Sequence, residues 1–121
     1  MNINTGPLLT LTAAGAGTYD SVDLPNLEWR GGSFGVNLGT VTSASVVVTI
    51  QGKDIASGQY YTLLTGAALT AAGFSLMQVA PGLVSTSNAA DAVLPATYRI
   101  SVTITGAGAA VTGTIGGSLI L

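Results

Sequence analysis

Large apolar residues recur at every second position in several short runs along the chain. Residues 8–13 read LLTLTA, Phe34, Val36 and Leu38 follow one another at spacing two, and Val46, Val48 and Ile50 alternate with Val47, Thr49 and Gln51. The same alternation returns in FSLMQV at 74–79 and TYRISVTIT at 97–105. Period two is the pattern of a strand with one face buried, so these runs predict strands, and weaker ones are predicted at 18–24 and 112–121. Glycine, proline and small polar residues punctuate them at 14–17, Pro25-Asn26, Pro81-Gly82, 83–92 and 106–110. Residues 27–41 read as one further strand, interrupted at Gly31-Gly32 by a turn or a bulge. Residues 65–73, TGAALTAAG, are too short for an independent helix and are taken as a connection. About eight strands with frequent turns favour an all-β domain, an antiparallel β-sandwich of jelly-roll-like type or a small barrel.

The most strongly patterned stretch is 44–64, ASVVVTIQGKDIASGQYYTLL. Two β-rich segments, 45–51 and 59–64, flank a polar loop at 52–58, which is the form of a hairpin. Lys53 and Asp54 sit in that loop and are expected at its solvated tip, where binding residues concentrate. Tyr60 and Tyr61 should point to opposite faces, one into the core and one to the surface or an interface.

Composition narrows the function classes. At 121 residues the chain is one domain with a single core, residues 1–121 throughout. It has neither cysteine nor histidine, which removes disulfides, thiolate metal sites and nucleophiles activated by histidine. Serine and threonine are abundant, but lysine, the remaining base of that kind, occurs only at Lys53, so no enzyme is expected. Three basic residues cannot form the positive stripe that a phosphate backbone requires, so nucleic acid is not an expected direct partner. Charged residues make up only 7% of the chain, with a formal net charge of −2, so much of the surface is expected to be covered by other subunits. Residues 100–121 are uncharged and long enough for a membrane helix, but their threonine, glycine and alternating apolar residues read as strands. The opening MNINTGPLLT has no basic n-region and no long apolar h-region, so no secretory signal is expected.

Few side chains carry candidate chemistry. Asp20, Asp23 and Glu28 could supply oxygen ligands to calcium, although they lack the D-x-D-x-D-G spacing and are better read as solvated loop carboxylates. Gly31, Gly32 and Gly35 lack the lysine and the strand-to-helix context of a phosphate loop. No cofactor or metal is therefore expected. Trp29, the sole tryptophan, is either a core or rim plug or an interface anchor. Arg99 lies in an alternating strand and should face outward or pair with a carboxylate.

The run VTIQGKDIASGQYYTLLTGAALTAAG, then VAPGL, a polar loop, LPATYRISVTI and a terminal GGSLIL, resembles the head decoration, or cement, proteins of tailed bacteriophages. The likeness covers about residues 44–121. It carries a strand ending in Q-G-K-D, a loop with S-G, Y-Y-T-L-L, a P-G-L turn, and proline before an aromatic and arginine. Residues 1–43 match less closely and are the family-variable portion. The resemblance implies a structural protein on the capsid exterior, with the major capsid protein as partner, a homo-oligomer with a trimer favoured, and no membrane association. Trp29, Lys53, Asp54, Tyr60 and Tyr61 are then the expected capsid or subunit contacts. The alternatives are a phage tail or fibre component, or a virion-surface carbohydrate-binding module. Sugar sites favour exposed aromatic platforms, of which two Phe, one Trp and four Tyr give a small supply.

Overall fold

The structure is a computed structural model and describes residues 2–26 and 30–120, with the side chains of 7–26 and 30–119. Its strands are β1 (Asn2–Ala14), β2 (Gly17–Asp20), β3 (Leu24–Pro25), β4 (Gly31–Thr42) and β5 (Ser45–Lys53). They continue with β6 (Tyr60–Thr65), β7 (Gly73–Ala80), β8 (Ala89–Asp91), β9 (Thr97–Thr105) and β10 (Ala110–Ile120). No helix occurs among the described residues.

Two sheets face each other. One has the order β1-β10-β4-β7-β8; the other runs β2-β9-β5-β6, with β3 also paired to β9. Setting aside the short β3 and β8 and renumbering the remaining eight, the orders are 1-8-3-6 and 2-7-4-5. That is the jelly roll, two Greek keys folded into a sandwich. All pairings are antiparallel except β7 with β8.

Alternation builds the core directly. In β5, Val46, Val48 and Ile50 are buried, and in β9 Tyr98, Ile100, Val102 and Ile104 are buried. From the opposite sheet come Phe34, Val36 and Leu38 of β4, Met77 and Val79 of β7, and Val111, Ile115 and Leu119 of β10. Phe34 and Tyr98 meet across the layers edge-to-face, ring centroids 5.9 Å apart and planes at 63°. Burying each such aliphatic or aromatic side chain is worth about 1.5–3 kcal/mol, so this interleaved set dominates the stability.

Gly31 and Gly32 neither turn nor bulge the chain, contrary to the sequence expectation. They run in regular register between Ile120 and Leu119 of β10 and Val79 of β7. A Cβ on Gly31 would collide with the Val79 carbonyl, and one on Gly32 would meet the Phe34 ring at 3.0 Å and Leu119 at 3.2 Å. Glycine is there to admit neighbouring atoms. The run expected at 18–24 is split, because the Ile100 N–H donates to the Ser21 hydroxyl, 2.9 Å, where a ladder would supply a carbonyl. Residues 83–92, expected to be loop, contain β8. Of residues 65–73, Thr65 ends β6 and Gly73 opens β7, and 66–72 are a connection tied to β5 by paired hydrogen bonds between Val46 and Leu69. Residues 100–120 lie in β9, β10 and the turn between them. No helix among the described residues is long and apolar enough to cross a membrane.

Candidate functional site

The outer face of the β2-β9-β5-β6 sheet gathers two of the chain's three cations and two of its carboxylates. Strand parity puts them there. Residues of β5 and β9 that alternate with the core positions point outward, so Gln51 and Lys53 share a face with Arg99 and Ser101. Register then sets neighbours: Gln51 lies opposite Arg99, Lys53 opposite Tyr60, and Asp20 opposite Ser101. Asp23 arrives on the segment between β2 and β3.

Asp23 is the hub of one half. Its two carboxylate oxygens accept from the Lys53 ammonium at 2.7 Å and from the Tyr60 hydroxyl at 2.6 Å. The hydrogen bond from Lys53, followed by that from Tyr60, holds the Asp23 carboxyl below its ordinary value, and the same bond to Asp23 raises Lys53. Arg99 is the hub of the other half. Its Nε donates to Gln51 Oε1 at 2.7 Å, a terminal nitrogen lies 3.5 Å from Asp20, and its guanidinium stacks 3.5 Å from the Tyr60 ring centroid. The Ser101 hydroxyl donates to the other oxygen of Asp20 at 2.5 Å. The Lys53 ammonium is also 5.5 Å from the Tyr60 ring centroid. Tyr60 thus joins the two halves, receiving both cations over its ring and giving its hydroxyl to Asp23.

The hairpin tip is separate. The Asp54 backbone N–H donates to Gln59 and its carbonyl accepts from Gly58 N–H at 2.7 Å, closing residues 54–59. The Ser57 hydroxyl donates to the Asp54 carboxylate at 2.7 Å, and that bond holds the carboxyl below its ordinary value. Gly58 occupies φ +75°, the left-handed conformation this turn requires.

Several sequence expectations change here. Lys53 ends strand β5 instead of standing solvated in the loop, and it pairs with Asp23, 30 residues away. Tyr60 and Tyr61 do face opposite ways, but neither joins the core. Tyr61 is 45% exposed and lies beside Gly52 and Pro95 at the end of the sandwich, where the core has run out. Arg99 faces outward and pairs with a carboxylate, as its strand position implies. Asp20 and Asp23 are engaged by Arg99, Ser101, Lys53 and Tyr60, and among the described residues no group of carboxylates is placed to hold a metal ion. Trp29 and Glu28 lie outside the described residues. Gln51 and Ser101 were not singled out by the sequence. Outward parity beside Lys53 and Arg99 was the available signal, and register completed it.

In chemical terms the patch is a set of charges and donors that satisfy one another. It fixes the β2–β3 corner to three strands and presents an ordered polar surface.

No protein-family model matches this sequence, and no curated protein sequence does. Among solved structures, a structure of infectious bursal disease virus, Gx strain, is similar over 99% of this chain at 14% identity, with a TM-score of 0.47. A structure of the Gt strain is similar over 93% at 18% identity and TM-score 0.38. A VP2 protein of the same virus, in T=1 particles, is similar over 93% at 21% identity and TM-score 0.39. The chain spans about a third of the length of these chains, 31–32%. The jelly-roll assignment comes from strand order and stands independently of them.

Proposed function

We propose that this chain is a bacteriophage virion protein that binds the outer surface of the assembled capsid and stabilises it. The observation that carries the reading is the ordered motif series. Q-G-K ends β5, Y-Y-T-L-L forms β6, P-G-L follows β7, T-Y-R-I-S-V-T-I forms β9 and G-G-S-L-I closes β10. The motifs in which the chain resembles cement proteins therefore fall on strands of both sheets and the turns joining them, not on one isolated hairpin. The jelly roll is compatible, being a fold that capsid and lectin domains use, though fold alone does not assign function.

On this reading the protein is not an enzyme and needs no cofactor. Its partner is the major capsid protein, met across adjacent subunits, and on the shell an arrangement of three copies is favoured. A ligand that binds only the assembled state stabilises that state by mass action. The carbohydrate alternative loses ground at Tyr60, whose ring is already stacked by Arg99 at 3.5 Å and so is a poor open platform for a sugar.

Co-sedimentation tests the proposal. Purified protein should pellet with mature heads lacking it and remain in the supernatant with unassembled capsid subunits. Equal binding to both, or binding to host polysaccharide on a glycan array with none to heads, would overturn it.

A further inference from the structure

We infer that the protein meets the assembled shell with one end of the sandwich, where Ile55, Tyr61 and Val93 are exposed, through an apolar contact and not an ionic one. The inference rests on the virion reading and names the surface and the chemistry of that contact.

The motif series locates the end. Its apolar residues such as Ile50, Leu64, Tyr98 and Ile100 are buried, so packing between the sheets accounts for them. Packing does not account for Ile55 and Tyr61, which are 69% and 45% exposed and are the exposed large apolar residues that the motifs contain among the described residues. Both lie at one end. Ile55 stands in the turn just past β5, held out by the hydrogen bonds that close residues 54–59, so little ordering is left for binding to supply. Tyr61 lies opposite Gly52, and a Cβ on Gly52 would collide with both the Tyr61 ring and Pro95. Register puts Tyr61 on the core side of its sheet, past the last core layer, so its ring carries the apolar interior out to the surface. Val93, 57% exposed, comes two residues before Pro95, with the buried Leu94 between them. The turns at the opposite end, 15–16, 43–44 and 106–109, contain only Gly, Ala and Ser and offer no comparable apolar surface.

Charge settles the chemistry of the contact. Lys53 and Arg99 are paired with Asp23 and Asp20, the Asp54 carboxylate accepts from Ser57, and the Asp91 carboxylate accepts from the Gly82 N–H at 2.8 Å. A group already satisfied within the chain must give up a bond to pair with a partner and gains little by doing so. Among the described residues this leaves Arg30, whose carbonyl accepts from the Leu94 N–H at 2.9 Å beside this same end. The complementary surface on the shell is therefore apolar and close to neutral, with room for one carboxylate or carbonyl facing Arg30. A second copy is the poorer occupant, because a two-fold pairing centred on this end brings two Arg30 guanidinium groups to the same contact, where like charges repel.

Binding isotherms of the full chain on heads lacking it, read by co-sedimentation, test this. Wild-type affinity should change by less than about fivefold between about 50 and about 500 mM NaCl, since screening has at most the Arg30 charge to act on. Ile55→Asp and Val93→Asp should each weaken binding by about tenfold or more. Both side chains are exposed, so both variants should keep the wild-type thermal unfolding midpoint, which separates loss of contact from loss of fold. Leu76→Asp, on the outer face of the other sheet, should bind as the wild type does. Binding that survives both end substitutions, falls more than about fivefold with salt, or is lost in Leu76→Asp would overturn the inference and leave the virion reading standing. Wild-type protein that never pellets with heads would remove both. Self-association that Ile55→Asp abolishes while head binding persists would overturn it too, by giving the end to a second copy.

Discussion

Replacing Phe34 by alanine tests the packing on which both sheets depend. The side chain is fully buried, contacts Tyr98 edge-to-face across the layers, and has Gly32 and Gly117 drawn up against its ring. Those glycines cannot fill the space left behind, since they have no side chains to move, and the backbone around them is held by β10 and β7. A poorly collapsing site puts the loss in the upper part of the usual range for Phe→Ala, about 3–5 kcal/mol. For a chain of this length the entropy of unfolding is about 250 cal/mol/K, so 4 kcal/mol corresponds to a fall in Tm of about 16 °C. Urea unfolding at fixed protein concentration, followed by Tyr98-sensitive near-ultraviolet circular dichroism, measures it. Phe34→Leu should recover more than half of the loss. A cost below about 1.5 kcal/mol for Phe34→Ala would mean that the inter-sheet contact is not the centre of the core.

Three further outcomes follow from particular residues. Arg99→Lys keeps the charge but loses the planar stack on Tyr60 and the donor geometry toward Gln51 and Asp20, and should cost about 0.5–1.5 kcal/mol in urea unfolding, with Arg99→Met costing at least as much. The Asp23–Lys53 pair sets a pH window. Asp23 has a folded value below its ordinary 3.8, so its contribution is present above that pH and disappears as pH falls through the lowered value. Lys53 has a folded value above its ordinary 10.5, so its contribution is present below that pH and disappears as pH rises through the raised value. Asp23→Asn should flatten the acid limb of a stability–pH profile, and an unchanged limb would contradict the pairing. Gly106→Ala should destabilise more than Gly58→Ala in thermal unfolding. Both have positive φ, +132° and +75°, but a Cβ at Gly106 would also strike the Ser43 carbonyl and come within 3.2 Å of Ala44, whereas Gly58 has open space.

Legibility in the sequence followed the physics of each element. Strand β9 spans the same residues, 97–105, that alternation marks, because its neighbours on both sides leave one clean buried face. The β5–β6 hairpin was legible for the same reason, apart from its ends. Strand β8, three residues long and paired in parallel to β7, is too short to show a period and is defined by a partner distant in sequence. The polar patch was half legible. Parity places Gln51, Lys53, Arg99 and Ser101 outward, but only register across separations such as the 48 residues between Gln51 and Arg99 makes them a cluster. The pairing of Lys53 with Asp23 could not be read from adjacency. Gly31-Gly32 shows a similar limit, because a glycine required for close approach and one required for a turn look alike in a sequence.

The most direct test of capsid stabilisation is thermal release of DNA from heads lacking this protein, measured with and without added purified protein. Deficient heads should form and package DNA yet release it at lower temperature or after osmotic shock, and saturating protein should move release upward toward that of complete heads, because binding energy is gained only on the assembled shell. An unchanged release temperature at concentrations that saturate the shell would contradict capsid stabilisation and favour a role in the tail.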